Sequence, residues 1–345
     1  MMGQEHLRNL ALLPSIEVVG LIEPDEGMAR AAQALVPGAA CVDSIDALLA
    51  LSLDAVVICS PNHCHADQLR QLADAGVAVL VEKPLCTSAD DLAPLLAIAT
   101  EKPWWVAMEY RYMPPVQALI DLSRGDQLGD IHSLSIREHR FPFLPKVGNW
   151  NRFNRNTGGT LVEKCCHFFD LMRHLLRSDP VRIYASGAQN VNHLDESYGG
   201  ETPDILDNAM VVVDFASGQR ASLELCMFAE GSRFQEEICL VGSKAKAEAR
   251  VPGPTRFWNT DAGAPPVPEL ELSPRNAPPS QWPVPVDPAL LEAGDHNGST
   301  FYQHQRFLAA LDGGAVEVTV ADGAWAVRMG LAAQESIATG RAIVL

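Results

Sequence analysis

The chain is expected to fold as two α/β units. The first, residues 1–124, is a doubly wound parallel sheet that lacks its first strand; the second, residues 125–345, is α+β with a mostly antiparallel sheet. Three observations predict this. Strand-like and helix-like runs alternate through the first 124 residues, the rhythm of βαβ crossovers. From Ile131 onward, alternating strand patterns follow one another with one long helical stretch among them, as in α+β folds. The 345-residue length supports two hydrophobic cores.

In the first unit, residues 17–23 (EVVGLIE) read as a strand and 26–36 as a helix, with a short strand near 40–42 and a helix at 45–51. Residues 54–60 (DAVVICS) form a continuous apolar, β-branched run, which is a strand buried on both faces. A helix at 66–75 stops at Gly76, where a left-handed terminus suits glycine. The next strand is 77–81, followed by a helix at 89–100, a strand at 105–108, and a helix opened by Pro114 and Pro115 that ends before Gly125. In the second unit, 133–140 alternates as a strand, and a long helix over 160–176 follows Gly158 and Gly159. Strands are predicted at 181–185, 209–215, 220–227 and 237–242. Residues 251–296 hold 11 of the 24 prolines and read as an irregular excursion on this unit. Helices at 300–311 and 322–339 close the chain.

A net charge of −17 and a pI near 4.9 argue against a nucleic-acid or anionic-membrane partner. No apolar run reaches the ~18 residues of a membrane span, and residues 1–6 do not read as a signal peptide. The eight cysteines contain no C-x-x-C pair, so reduced thiols and a cytoplasmic setting are expected. Asn297-Gly298-Ser299 matches a glycosylation acceptor only by chance.

A dinucleotide site of this kind normally begins with a strand, a glycine loop and a helix N-terminus that meets the pyrophosphate. Here Met2-Gly3 read as the last two loop positions and 4–12 as the helix they open. The expectation is a chain that starts at an internal methionine of a longer protein; the alternative is one that has abandoned tight cofactor binding. Glu23 ends the next strand about 20 residues after Gly3, where an acid accepts the ribose hydroxyls and disfavours a 2′-phosphate, so NAD is expected over NADP. The turn Ser60-Pro61-Asn62-His63-Cys64-His65 follows a buried strand and faces the cofactor crevice, with Asn62 and His65 as candidate contacts. His63, Cys64 and His65 lack a partner at ligand spacing, so no metal is expected.

Glu82-Lys83-Pro84 closes the strand at 77–81, which puts the lysine at the carboxyl end of a parallel strand, where such sheets bind ligands. Glu163, His167 and Asp170 fall at i, i+4 and i+7, one face of a helix, and an acid one turn from an imidazole can orient it. Cys165 and Cys166 turn away from that face and read as packing residues.

On these residues the chain resembles the Gfo/Idh/MocA oxidoreductases, a family that includes inositol 2-dehydrogenases. The resemblance rests on Ser60-Pro61-Asn62-His63 with His65, Glu82-Lys83-Pro84, Tyr110-Arg111-Tyr112 with Pro114, Gly158-Gly159-Thr160-Leu161 leading to His167 and Asp170, and the ending 330–336. It implies a Rossmann-like NAD-binding unit joined to a substrate-binding and oligomerisation unit, and a homo-oligomer. Lys83 would contact the reacting hydroxyl, His167 would take its proton, and Glu163 would stand where the family usually has Asp; Cys165 replaces the usual glycine beside it, and Lys164 is also unusual. Gly3, Glu23, Ser60, Pro61, Asn62, His65, Glu82 and Lys83 would meet the cofactor. Arg111, Tyr112, Trp150, Asn151, Arg152, Asp170 and His296 are candidates for gripping a polyol or sugar, with Asp170 a second candidate for orienting His167. The expected activity is NAD-dependent oxidation of a secondary alcohol. The alternatives are a catalytically silent relative that binds a sugar or a protein, and lyase or hydrolase chemistry with transient use of NAD.

Overall fold

The computed structural model describes residues 2–345. It opens on the helix Met2–Leu10, whose first turn already contains Gly3, so this glycine lies inside the helix and not in the loop before it. The parallel strands fall into two pieces. Gly20–Leu21 pairs with Ala40–Cys41, while Ala55–Ile58, Ala78–Val81 and Trp104–Val106 form a separate parallel sheet in that order. The expected single sheet is therefore divided: among the described residues, no strand pairing joins the two pieces. A ladder is only as long as its partner, and the strand expected at 17–23 shortens to two residues.

Local chemistry accounts for most of the remaining elements. Asp25 accepts from the Met28 amide to cap Glu26–Leu35, and Ser44 accepts from the Ala47 amide to cap Ile45–Leu49. All four residues of Ala78–Val81 are buried, as expected for the middle strand of three. The ends of these strands carry the 60–65 and 82–84 turns to one edge of the sheet.

The second unit is one nine-stranded sheet. Its order is Ser280–Pro283, Glu269–Pro274, Ala245–Val251, Glu236–Gly242, Ile131–His139, Arg220–Cys226, Asn208–Phe215, Pro180–Ala188, Ile343–Val344. Only Ile131–His139 and Arg220–Cys226 run parallel. The proline-rich stretch is more regular than its composition suggests: it supplies two strands that extend the sheet edge, and the helix Pro288–Ala293. Prolines 274 and 283 end those strands, where a missing N–H costs little.

The helix expected over 160–176 is broken into Thr160–Glu163 and Cys166–Leu176. Gly158 and Gly159 precede it with φ of +75° and +92°; a Cβ at Gly158 would lie 2.9 Å from the Thr87 carbonyl oxygen. Both the left-handed backbone and the close approach require glycine. The closing helix Val320–Thr339 packs against both units: Gly323 faces Val106 and Leu85, and Gly330 faces Leu161 and Val162. One continuous core thus runs from Leu80 and Trp105 through Phe168 and Phe169 to Val211 and Leu223.

Candidate active site

The carboxyl end of Ala78–Val81 carries Glu82 and Lys83. Lys83 Nζ donates to the Glu163 carbonyl oxygen at 3.2 Å, joining the first unit to the break between the two helices. Burial works against the Lys83 ammonium, but the negative groups around it, Cys166 when ionised and then Glu82 and Glu163, outweigh that and raise its pKa. It is therefore charged at neutral pH. Burial raises the Glu163 carboxyl, against the pull of Lys83, Lys146, Arg140 and Arg152, and its Oε2 has no hydrogen-bond partner.

His167 is buried and stacks face to face on Tyr110, with ring centroids 4.0 Å apart at 7°. Burial, then the charges of Lys83 and Lys164, holds its pKa well below the ordinary value, and Nδ1 has no partner. It is a neutral base with a free ring nitrogen. Lys164 fixes the other side of the stack: its Nζ reaches Tyr110 Oη at 2.6 Å and Glu138 Oε1 at 2.7 Å, and all three residues are buried.

Several expected roles change. Asp170 does not orient His167: it is a buried bidentate partner of Arg111, at 2.6 and 2.5 Å. Arg111 also donates to the Glu317 carbonyl oxygen, so it is spent on packing the chain and does not grip a substrate. Tyr112 likewise is buried, bonds Glu317 Oε2 at 3.1 Å and leans on Trp105. His65, expected to face the cofactor, is buried between two main-chain oxygens, Nδ1 2.8 Å from that of Pro84 and Nε2 3.0 Å from that of Ser60; kept neutral chiefly by burial, it donates to one of the two and sits between the two turns. The break at Lys164–Cys165 separates Glu163 from the His167 helix, so the i, i+4 relation is lost; no Glu163 to His167 hydrogen bond forms.

His296 is also committed. Its Nδ1 is 2.7 Å from Glu5 Oε1 and 3.7 Å from Glu109 Oε1, and these three residues could hold a metal ion between them. Glu5 also accepts from Thr300 and from the Asp295 amide. Burial opposes both charges of the Glu5–His296 pair; mutual attraction wins, taking Glu5 down to about 2, and with Glu109 it takes His296 up to about 9. The cluster is internally satisfied as an ion pair, with Glu109 raised chiefly by burial.

The loop before the broken helix brings Trp150, Asn151 and Arg152 toward the site. The Trp150 ring meets His63 edge-on at 6.2 Å. Asn151 donates to the Leu144 carbonyl, leaving Oδ1 without a partner; Arg152 pairs with Glu196 at 2.7 Å, leaving Nη1 without one.

Comparison with known proteins decides the family. Residues 1–110 match the profile described as an oxidoreductase family NAD-binding Rossmann fold, and residues 122–345 match the C-terminal alpha/beta domain of the same family. The chain belongs to the Gfo/Idh/MocA oxidoreductases. It is 30% identical over 205 residues to inositol 2-dehydrogenase of Rhizobium meliloti (strain 1021), covering 58% of this chain and 59% of that protein. A myo-inositol dehydrogenase structure from Corynebacterium glutamicum ATCC 13032 superposes with a TM-score of 0.77 at 22% identity, over 100% of this chain and 96% of that one. Levoglucosan dehydrogenase in complex with NADH and levoglucosan gives a TM-score of 0.81 at 20% identity, over 100% and 97%. At these identities the two structures establish shared fold.

In this Gfo/Idh/MocA chain the residues expected to meet NAD lie at the ends of the parallel strands and on the first helix. Asn62 is buried at the carboxyl end of Ala55–Ile58, and its Nδ2 has no partner. Glu23 is exposed just beyond Gly20–Leu21 and accepts only from the Asp25 amide, at 2.9 Å. Pro61 leads into the turn, and the Ser60 hydroxyl donates to Gln68. Gly3 brings the first helix against Cys59: a Cβ there would lie 3.6 Å from the Cys59 Cβ.

Glu82 does not stand free. Burial would raise its pKa, but the hydrogen bond and charge of His6 lower it, with His6 Nε2 at 2.9 Å from Oε1. His6 is protonated, because Cys59 and Glu82 outweigh the cost of its burial, and it donates Nδ1 to His304 at 2.8 Å. His304 is held neutral by burial and then by the His6 charge. Sequence reasoning missed His6 and Glu5, and noted Lys164 only as an unusual residue beside Glu163. His6 follows Gly3 by three positions, a spacing that signals its place on the first helix, but its partners lie 76 and 298 residues away.

Proposed function

We propose that the chain is an NAD-dependent dehydrogenase that oxidises a secondary alcohol of a polyol or sugar, with Lys83 and His167 at the reacting hydroxyl. The observation that carries this reading is one charged lysine and one neutral histidine converging with unpartnered buried polar atoms beside the ends of the parallel strands. A bound nicotinamide supplies the hydride acceptor. Asn62 and Glu23 hold the cofactor, Glu23 favouring a free ribose over a 2′-phosphate. Lys83 stabilises the negative charge that develops on the hydroxyl oxygen, and His167 accepts the proton on a free ring nitrogen. Tyr110, locked by Lys164, keeps the imidazole plane fixed. Glu163 is a hydrogen-bonding wall for a neighbouring hydroxyl, and Trp150, Asn151 and Arg152 close the side of the site.

The test is NADH formation with a panel of cyclitols, pentoses, hexoses and their acids. Lys83→Ala is expected to lower turnover by more than about a hundredfold. Near-normal turnover would remove Lys83 from the mechanism.

The partner surface follows from the nine-stranded sheet. Tyr184, Met210 and Val212 are 48%, 58% and 48% exposed on adjacent strands, with Tyr184 directly opposite Val212. A contiguous apolar face of this kind fits a second copy of the chain, giving a homo-oligomer. Among the described residues no helix is long and apolar enough to cross a membrane, and all eight cysteines are free. The free thiols support a cytoplasmic setting.

A further inference from the structure

Lys83 is fixed from two directions. At its tip, Nζ donates to the Glu163 carbonyl oxygen at 3.2 Å. At its root, the main-chain amide donates to Glu82 Oε2, also at 3.2 Å. The other oxygen of that carboxylate, Oε1, lies 2.9 Å from His6 Nε2, and His6 Nδ1 lies 2.8 Å from His304 Nε2. Glu82, His6 and His304 are all buried, so water does not compete for these contacts. One unbroken line therefore runs from the helix Ser299–Leu311, through the helix Met2–Leu10, to the amide of Lys83.

The middle of this line is itself held by the second unit. Arg8 Nε donates to the Ala293 carbonyl oxygen at 2.9 Å, and Glu5 accepts from the Thr300 hydroxyl at 3.0 Å and from the Asp295 amide at 3.3 Å. The first helix is thus anchored on residues 293–304, and His6 is where that anchorage reaches the turn carrying Lys83. Apolar side chains would fasten the same elements with no desolvation cost. What the polar line adds is direction: one imidazole ring presents two nitrogens at a fixed angle, one to the carboxylate and one to the second imidazole. Direction matters at this turn, because a shift of about 1 Å in a reacting group can cost about a hundredfold in rate.

We propose that His6 is a positioning residue of the dehydrogenase reaction: acting through the Glu82 carboxylate, it sets where the turn holds Lys83 against the reacting hydroxyl. In this role His6 needs no contact with the alcohol, and its effect reaches the reaction through Lys83 alone. A residue that only stabilises the fold acts the same whether Lys83 is present or not; a residue that positions Lys83 has nothing left to position once that side chain is removed. This inference rests on the dehydrogenase reading of the same site.

Two measurements separate the two claims. In the first, the full chain is compared with His6→Ala, Lys83→Ala and the double variant, NADH formation being followed with the cyclitols, pentoses, hexoses and acids of the panel above. His6→Ala is expected to lower kcat by about tenfold to a hundredfold, and to cause no further loss in the Lys83→Ala background. If His6→Ala does not fold by circular dichroism, His6→Gln takes its place in the same cycle; it keeps one donor for Glu82 and drops the link to His304. The second measurement needs no turnover. Lys83 is labelled with acetic anhydride in the native chain and read by peptide mass spectrometry beside Lys164, which is buried in the second unit. Lys83 is expected to label about tenfold faster in the His6 variant, the weight of one hydrogen bond to a charged group, with Lys164 unchanged. An unchanged kcat in the His6 variant overturns the inference, as does an equal loss with and without Lys83. Equal labelling of Lys83 in the two proteins overturns it too, and an equal rise at both lysines marks general loosening and does the same. No NADH from any compound with the unaltered chain sinks the dehydrogenase reading; the labelling then decides alone, and faster labelling confined to Lys83 upholds the positioning.

Discussion

At the scale of single residues, Glu5 and His296 make stability depend on pH in opposite directions. The Glu5 carboxyl stands at about 2, below its ordinary value. Its contribution is complete above the ordinary carboxylate range and is lost as pH falls through that value. His296 stands at about 9, above the ordinary 6.5. Its contribution is complete below 6.5 and is lost as pH rises through about 9. The protonated His6 acts in the same direction, while His167 and His304, both held neutral, cost stability as pH falls below the ordinary imidazole value. His296→Gln is therefore expected to flatten the decline in melting temperature on the alkaline side, with up to about 3 kcal/mol removed across the window. Parallel alkaline slopes for the two proteins would contradict the pairing of His296 with Glu5.

At the scale of elements, the Arg111–Asp170 pair fastens the turn Glu109–Tyr112 to the helix Cys166–Leu176, and so holds Tyr110 against His167. Asp170→Asn leaves a buried guanidinium without its counter-charge, and is expected to destabilise the protein by about 3–5 kcal/mol in denaturant unfolding. If stability is unchanged, the pair is not what joins these elements. This pair also shows where reading the sequence stops. The strands at 77–81 and from 131 to 242 follow from hydrophobic period and were legible; the caps at Asp25 and Ser44 were not read, and the 54–60 strand, expected to be buried on both faces, is buried on one. Lys83 was legible as well, because a strand end fixes where it lies. Arg111 and Asp170 are polar residues in motif positions, but each is satisfied by the other across 59 residues, a relation that local pattern does not encode. The helix break at 164–165 escaped detection for a similar reason: Lys164 is drawn inward by Tyr110 and Glu138, against a helical pattern that continues through it.

At the scale of the whole molecule, the open face of the nine-stranded sheet is where the proposed association is tested. Met210→Glu together with Val212→Lys is expected to lower the solution mass measured by light scattering to that of one chain, with the fold intact by circular dichroism; an unchanged mass would place the interface elsewhere. The closing segment has a different reach. The Val106 amide donates to the Val318 carbonyl oxygen at 3.1 Å, so the outer edge of the three-stranded sheet is sealed by a residue more than 200 positions later. The helix that follows then fills the space against Val106 and Leu85. On the ribosome the first unit emerges early but cannot bury this edge until Val318 and the last helix have been translated. For most of its synthesis the nascent chain exposes an unpaired strand edge, the kind of surface that aggregates or recruits a holding chaperone. A stop codon ahead of the last helix would therefore damage both ends of the protein, leaving the nucleotide-binding unit unable to complete itself.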